Sequence, residues 1–270
     1  MIQQLRETVQ FIKDIYPATP AVGIVLGSGL GNLVEEITIE KEINYKDIPH
    51  FPVSTVQGHQ SKLIFGEFSG KKVVVMSGRF HFYEGYTPQQ VSYPIRVMKM
   101  LGVETLLLSN AAGSVGAGLK VGDLMMITDH ISFFSVNPLI GKNVDELGAR
   151  FPDMSEPYSK TLIGKAKAIG QRLGYELKEG IYTGVTGPTF ETRAEYRLIK
   201  ILGGDAVGMS TVQETIVAVH AGMKVFAISV ITDEGITEHE MKITHEEVLA
   251  AAKAAEPKLA AIFRELVKEI

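Results

Sequence analysis

Residues 71–86 read KKVVVMSGRFHFYEGY, and they decide the fold. Val73 to Val75 form a β-branched run of the kind that is buried on both faces of a sheet. The run breaks at Ser77-Gly78 into a polar, aromatic turn carrying Arg79, His81, Tyr83 and Glu84. Thr87-Pro88-Gln89-Gln90 then supplies a capping hydroxyl, a first-turn proline and a glutamine three residues after the cap, which predicts a helix start. A guanidinium, an imidazole and a phenol therefore leave the carboxyl end of a core strand together. In open α/β sheets that edge is where ligands bind. A guanidinium fork suits an oxyanion, phosphate above all. The competing reading is a surface turn in which Arg79 and Glu84 pair in solvent.

The same strand-then-polar-turn pattern recurs outward from this stretch. Gly23 to Leu26 runs into Gly27-Ser28-Gly29, Thr105 to Leu108 into Ser109-Asn110-Ala111-Ala112-Gly113, and Leu124 to Ile127 into Thr128-Asp129-His130. Ile181 to Val185 leads into Thr186-Gly187-Pro188, Ala206-Val207 into Gly208-Met209-Ser210, and Val225 to Ile231 into Thr232-Asp233. Helical patterns lie between them at 90–101, 160–173, 193–202, 212–221 and 246–266. This alternation predicts an α/β fold in one continuous domain over residues 1–270, with a mixed, mainly parallel sheet between helices as a three-layer α/β/α sandwich. Capping signatures mark further helix starts at Asn32 with Glu35, Thr192 with Glu195, Ser210 with Gln213 and Thr244 with Glu247. Helix N-termini gathered at one sheet edge make an anion-friendly rim. The stretch 133–157, interrupted by Pro138, Gly141, Gly148 and Pro152, reads as a long functional or interfacial loop.

Composition removes several classes of function. The chain has 270 residues, 45% hydrophobic and 21% charged, as in ordinary globular proteins. A net charge of -4 without a basic stripe argues against nucleic acid as a partner. No cysteine is present, so there is no thiolate nucleophile, disulfide framework or cysteine metal site. The amino-terminal segment MIQQLRETVQFIKDIYP is amphipathic and charged throughout, unlike a signal peptide, and no apolar run reaches the ~20 residues of a membrane span. A cytoplasmic protein without membrane partners is expected. The seven histidines show no zinc-binding spacing, so no metal is expected.

The remaining candidates are polar groups at strand ends. Gly27 to Asn32 (GSGLGN) could cradle phosphate through backbone N–H groups, but its third glycine comes one position early for a dinucleotide fingerprint and no P-loop lysine follows. A simple tight turn explains that segment equally. Gln57-Gly58-His59 carries a loop histidine that is solvated or functional. Asn110 and Ala111 lie where small residues let backbone approach a ligand or pack tightly. Phe190-Glu191 places an aromatic face beside a carboxylate before a capped helix. A planar ring could stack on Phe190 while Glu191 accepts from a ring N–H; the alternative is a core phenylalanine beside an acid favoured by the helix dipole. Asp233 reaches the same edge. No nucleophile-elbow pattern appears, so an acyl hydrolase has no support. What accumulates is an anion site beside a planar-base site bearing carboxylates.

The segments GSGLG, QGHQS, GRFHFYEGY, SNAAGS, GDLMMITDHI, GPTFETRAEYR, DAVGMSTVQE and THEEVLAA, in this order, carry a resemblance to the trimeric purine nucleoside phosphorylases, a family that includes methylthioadenosine phosphorylase. The resemblance runs from about Gly23 past His245. It implies a nucleoside phosphorylase fold, whose central mixed sheet curls toward a barrel. It also implies phosphate-dependent cleavage of the N-glycosidic bond, giving free base and ribose 1-phosphate without a cofactor, phosphate being a co-substrate. By position, Ser28, His59, Arg79, His81, the backbone at Ala111, and Ser210 resemble the phosphate site. Tyr83, Met209 and His245 resemble ribose contacts. Phe190, Glu191, Val207, Gly208, Asn110 and Asp233 resemble the base pocket, and His81, Asn110, Glu191 and Asp233 are the groups the resemblance makes catalytic. Phe151 resembles an aromatic that reaches the sugar in the neighbouring subunit, which implies a homotrimer.

One position departs from the pattern. Relatives that prefer 6-oxopurines carry asparagine where this chain has Asp233, and the methylthioadenosine branch has that aspartate but lacks a glutamate at position 191. This chain combines both acids. Glu191 favours guanine and hypoxanthine, whose N1–H donates, and a site built for such a donor rejects analogues lacking it. Asp233 would have to be protonated to donate to N7, against an ordinary carboxylate pKa near 4, or else accept from a 6-amino group. Inosine and guanosine are the expected substrates, with adenosine open. The competing readings are a methylthioadenosine phosphorylase, a nucleoside-binding protein without catalysis, and, more distantly, a dinucleotide oxidoreductase.

Overall fold

Residues 71–77 become one of the inner strands of a nine-stranded mixed sheet in a computed structural model that describes residues 1–53, 60–116, 118–133, 136–235 and 244–270. In chain order the strands are β1 (Val22–Leu26), β2 (Thr38–Asn44), β3 (Lys62–Phe68), β4 (Lys71–Ser77), β5 (Thr105–Ser114), β6 (Leu124–Ile131), β7 (Leu177–Gly184), β8 (Ala206–Gly208) and β9 (Lys224–Glu234). The helices are α1 (Ile2–Ile15), α2 (Pro88–Val91), α3 (Tyr93–Leu101), α4 (Lys160–Leu173), α5 (Arg193–Ile201), α6 (Val212–His220) and α7 (His245–Glu269). Val73, Val74 and Val75 are fully buried, as a run without polar alternation requires.

The spatial order is β2-β3-β4-β1-β5-β8-β7-β6-β9, and β9 also pairs with β5. The second half of the sheet therefore closes into a five-stranded barrel, while β2, β3, β4 and β1 extend from it as an open wing. Strand β5 belongs to both parts. It lies parallel to β1 and to β9, and its last two residues, Gly113 and Ser114, pair antiparallel with β8. Five pairings are parallel and four antiparallel. The helices pack around this sheet, with α3 against both α1 and α6, and α4 against α7.

Several boundaries differ from the sequence reading for identifiable reasons. The small-residue segment Ser109 to Ser114 does not end its strand but remains inside β5, because its backbone stays paired with β9 throughout and with β8 at Gly113 and Ser114. The edge strand β2 carries no sustained apolar run, and in its neighbour β3 the run is the short Leu63-Ile64-Phe65. Six of the seven residues of β2 are exposed, which hides it from an apolar-run search. The expected helix over 90–101 divides into α2 and α3, with Pro94 in the first turn of the second piece. Thr87, Thr192 and Thr244 cap their helices in full capping boxes. Asn32 does not cap. It begins a short 3-10 helix whose backbone N–H is satisfied by Glu256, a buried carboxylate in the middle of α7. Ser210 is not a cap either, for a reason that belongs to the site.

Candidate functional site

A cavity of about 290 Å3 opens beside the carboxyl-terminal halves of β5 and β9. Its wall brings together Ser28, Arg79, His81, Tyr83, Asn110, Ala111, Phe190, Glu191, Val207, Gly208, Met209, Ser210, Asp233 and His245. These come from seven separate segments of chain, so the sheet and not local sequence makes the site. Two predicted residues are not among them. His59 lies outside the described residues. Phe151 is 86% exposed and lines a different cavity with Asp129, His130, Leu139 and Ile140.

One end of the cavity is built around Arg79, which is 1% exposed. Its Nε donates to Glu214 Oε1 at 3.1 Å and its Nη2 to Glu214 Oε2 at 2.8 Å, a bidentate pair. Its Nη1 donates to the Ser109 carbonyl at 2.6 Å and to Ser210 Oγ at 3.3 Å. Neither alternative drawn from sequence is therefore complete. Arg79 does not pair with Glu84 in solvent, and its fork is not open to a ligand on both edges. Glu84 instead accepts from the His81 backbone N–H at 2.7 Å and lies 3.3 Å from His81 Nδ1, while the His81 ring stacks on Tyr83 at 4.7 Å. Burial, and then the Glu84 carboxylate, push the Tyr83 hydroxyl up to about 12, so it stays a protonated donor.

Ser210 owes its direction to the residue after it. Thr211 has φ 71° and ψ -48°, and the Val212 N–H donates to the Ser210 carbonyl at 2.7 Å. This is a γ-turn with positive φ, a conformation that costs a β-branched residue about 1–3 kcal/mol and is retained where the surroundings over-determine it. Asn110 Nδ2 donates to Thr211 Oγ1 at 2.9 Å, and Thr211 is 1% exposed, so the turn is held from the side of β5. The expected cap at Ser210 is replaced by this turn, which aims the serine hydroxyl at Arg79 instead of at the helix.

The other end is acidic. Phe190 is 40% exposed with its ring on the cavity wall, which rules out the core-phenylalanine reading. Glu191 follows it just before the Thr192 cap of α5. On β9 the pairing with β5 slips between Ala112 and Gly113, so that Thr232 has no opposite residue and Gly113 faces Asp233. This bulge lets both Thr232 and Asp233 reach the cavity, where a regular strand would send consecutive residues to opposite faces. Burial pushes the carboxyls of Glu191 and Asp233 up, and for Glu191 the Asp233 charge adds to it.

Sequence reasoning missed three of the residues that organise this geometry. Glu214 had a signal, an acid standing alone in the apolar helix Val212–His220. Thr232 and Tyr196 had none beyond their place in the quoted segments. Among the described residues, no group of three His, Cys, Asp or Glu side chains is arranged to hold a metal ion, and no helix is long and apolar enough to cross a membrane.

Comparison with known proteins places this geometry in context. Residues 21–268 match the family model of the phosphorylase superfamily. Purine nucleoside phosphorylase 1 of Geobacillus stearothermophilus is 50% identical over 266 residues, covering 98% of this chain and 96% of that one. Isoform 2 of purine nucleoside phosphorylase from Schistosoma mansoni, solved with cytosine and ribose-1-phosphate, superposes with a TM-score of 0.94 at 42% identity over 99% of this chain and 96% of that one. A Schistosoma mansoni purine nucleoside phosphorylase solved with adenosine gives 0.93 at 39%, covering 100% and 98%.

Proposed function

The chain belongs to the purine nucleoside phosphorylases of the phosphorylase superfamily, enzymes that transfer a pentosyl group, and from that premise we propose how its cavity divides the work. The reaction is phosphate-dependent cleavage of the N-glycosidic bond of inosine, guanosine and their deoxy forms. Its products are the free base and (deoxy)ribose 1-phosphate, as in purine salvage. The observation that carries this assignment is that an arginine-serine end and an aromatic-acid end share one cavity.

Phosphate is assigned to the end formed by Ser28, Arg79, His81, the backbone of Ala111, and Ser210, with His59 as a further contact by resemblance. Glu214 and Ser109 take four of the five Arg79 N–H directions together with Ser210, which leaves one Nη2–H for a ligand and fixes the guanidinium in place. Ribose is assigned to Tyr83, Met209 and His245, in the middle of the wall. The purine stacks on Phe190 against Val207 and Gly208, with Glu191, Asp233 and Asn110 at its polar edge. Cleavage develops positive charge on the sugar and negative charge on the leaving base. A phosphate held beside the sugar stabilises the first charge and then captures the carbon, while groups at the base edge donate to the second. No metal or organic cofactor takes part in this scheme.

The assembly proposed is a homotrimer in the cytoplasm, with Phe151 reaching the neighbouring active site. Its support is the exposed apolar surface on the long loop, where Phe133, Ile140 and Phe151 are 81%, 66% and 86% exposed. Residues 1–270 are read as one domain, since one sheet and one main core cluster run through them. A broader enzyme that also takes adenosine, or a methylthioadenosine phosphorylase, is the second reading, and Asp233 is the residue that favours it. The test is hypoxanthine release from inosine with and without orthophosphate. Release should require phosphate, and full-rate release in phosphate-free buffer would make the enzyme a hydrolase.

A further inference from the structure

We propose that Tyr196 is a positioning residue through which Asp233 and Glu191 share one proton, so that the base pocket can present either pattern of donors and acceptors to a purine. This inference rests on the assignment of that end of the cavity to the base. Tyr196 is 2% exposed and lies on the cavity wall in the first turns of α5. Its hydroxyl donates to Asp233 Oδ2 at 3.5 Å and is also hydrogen-bonded to Glu191. The fold reserves room for this contact. A Cβ at Gly235 would come within 1.9 Å of the Tyr196 ring, and one at Gly113 within 2.6 Å of Asp233 Oδ2. Two glycines thus clear the space in which a phenol meets two acids.

The charges around the trio explain what it does. Facing Asp233 are Thr232 on its own strand, whose hydroxyl donates to Oδ1 at 3.1 Å, and Glu191 and Tyr196 from the α5 side, with Glu195 beyond them. Asn110 and Gly113 face it from β5, and His245 lines the wall from α7. Arg79, the buried cation of the cavity, is already matched by Glu214. Among the described residues neither carboxyl is set against a cation, and two buried carboxyls so placed hold one proton between them more readily than none. Burial keeps the Tyr196 hydroxyl protonated, well above its ordinary value, so it is always available as a donor.

A 6-oxopurine donates at N1 and accepts at O6 and N7. It is met by ionised Glu191 and protonated Asp233, with Tyr196 donating to Glu191. A 6-aminopurine accepts at N1 and donates from its amino group. It is met by protonated Glu191 and ionised Asp233, with Tyr196 donating to Asp233. The two forms contain the same number of protons and differ only in which carboxyl carries the shared one. Neither therefore takes up or releases a proton relative to the other.

The experiment is the pH dependence of kcat/KM for inosine and for adenosine, with saturating phosphate, in the wild type, Tyr196→Phe and Asp233→Asn. In the wild type both nucleosides should be cleaved and lose activity along the same high-pH limb, where the shared proton is lost. Tyr196→Phe keeps the ring but removes a hydrogen bond to a carboxylate, so the limb should move up by about one pH unit for both substrates. Asp233→Asn should abolish the limb for inosine and cut adenosine turnover at least tenfold, because the amide supplies a permanent donor. A limb that stays in place in Tyr196→Phe, with or without a lower kcat, would reduce Tyr196 to packing and overturn the proposal. Limbs at different pH for the two nucleosides in the wild type would also overturn it. Absence of any phosphate-dependent cleavage in the wild type would instead overturn the assigned reaction, and this inference with it.

Discussion

The two ends of the cavity solve opposite electrostatic problems. At the Arg79 end a cation and an anion, 1% and 3% exposed in their side chains, neutralise one another through two parallel hydrogen bonds before any ligand arrives. At the Asp233 end two acids face each other with a phenol between them and, among the described residues, no matching cation. The first end is fixed in charge and geometry, which suits an anion whose tetrahedral shape never varies. The second is adjustable in protonation, which suits a family of rings that differ in their donors and acceptors. A charge that must stay is held by an ion pair to a residue far away in sequence, here across 135 positions. One that must change is left to protons.

The strongest way to break this contrast is Glu214→Gln. Removing one member of the buried pair leaves the Arg79 charge uncompensated, and the loss should be about 3–5 kcal/mol in urea unfolding. A loss under 1 kcal/mol would mean that the pair is not the fixed element described. Next in size, Glu191→Gln should lower kcat/KM for inosine by about 100-fold and for adenosine by much less, since only the 6-oxopurine donates at N1. Equal losses would place the base in another orientation. Thr211→Gly sharpens the contrast from the rigid end. It relieves the positive φ but frees Ser210 and removes the acceptor of Asn110, so KM for phosphate should rise about tenfold while stability changes by less than about 1 kcal/mol.

The smallest expected effect concerns pH and stability. Asp233 and Glu191 have carboxyls raised above their unfolded values. Their contribution is fully present below the unfolded carboxylate pKa and is lost as pH rises through the raised folded values. The ligand-free enzyme should therefore gain thermal stability on acidification from neutral pH towards those values. Asp233→Asn should flatten that dependence and raise the neutral-pH Tm by about 2 °C. An unchanged slope in a series of melting curves would contradict the like-charged picture of this end.

Most of the fold was legible because it is written in local pattern. The helix over 160–173 ends where its periodicity ends, and the capping boxes at Thr87, Thr192 and Thr244 form as their spacing requires. The wing strand β2 was not legible, since it buries one residue of seven. The membership of the site was legible as a set of polar groups at strand ends, and the resemblance sorted them by role. Its wiring was not. Nothing near Arg79 in sequence points to Glu214, nothing at Ser210 announces a γ-turn where a cap was expected, and Tyr196 looks like any apolar position of α5. Each depends on a backbone path set by tertiary packing, which local periodicity does not contain.

Strand β5 joins the open wing to the closed barrel, and its partner β9 is made more than a hundred residues later. During synthesis the wing can assemble around β1, β4 and β5 while the barrel still lacks its closing stave. Arg79 then waits without Glu214, and β5 waits with an unmatched edge. Such long-range closure is slow, and an uncovered edge invites pairing with the wrong chain. A polypeptide halted before Glu214 and β9 should therefore be inactive and prone to stick, and its yield in a cell should depend on how quickly the segment carrying them leaves the ribosome.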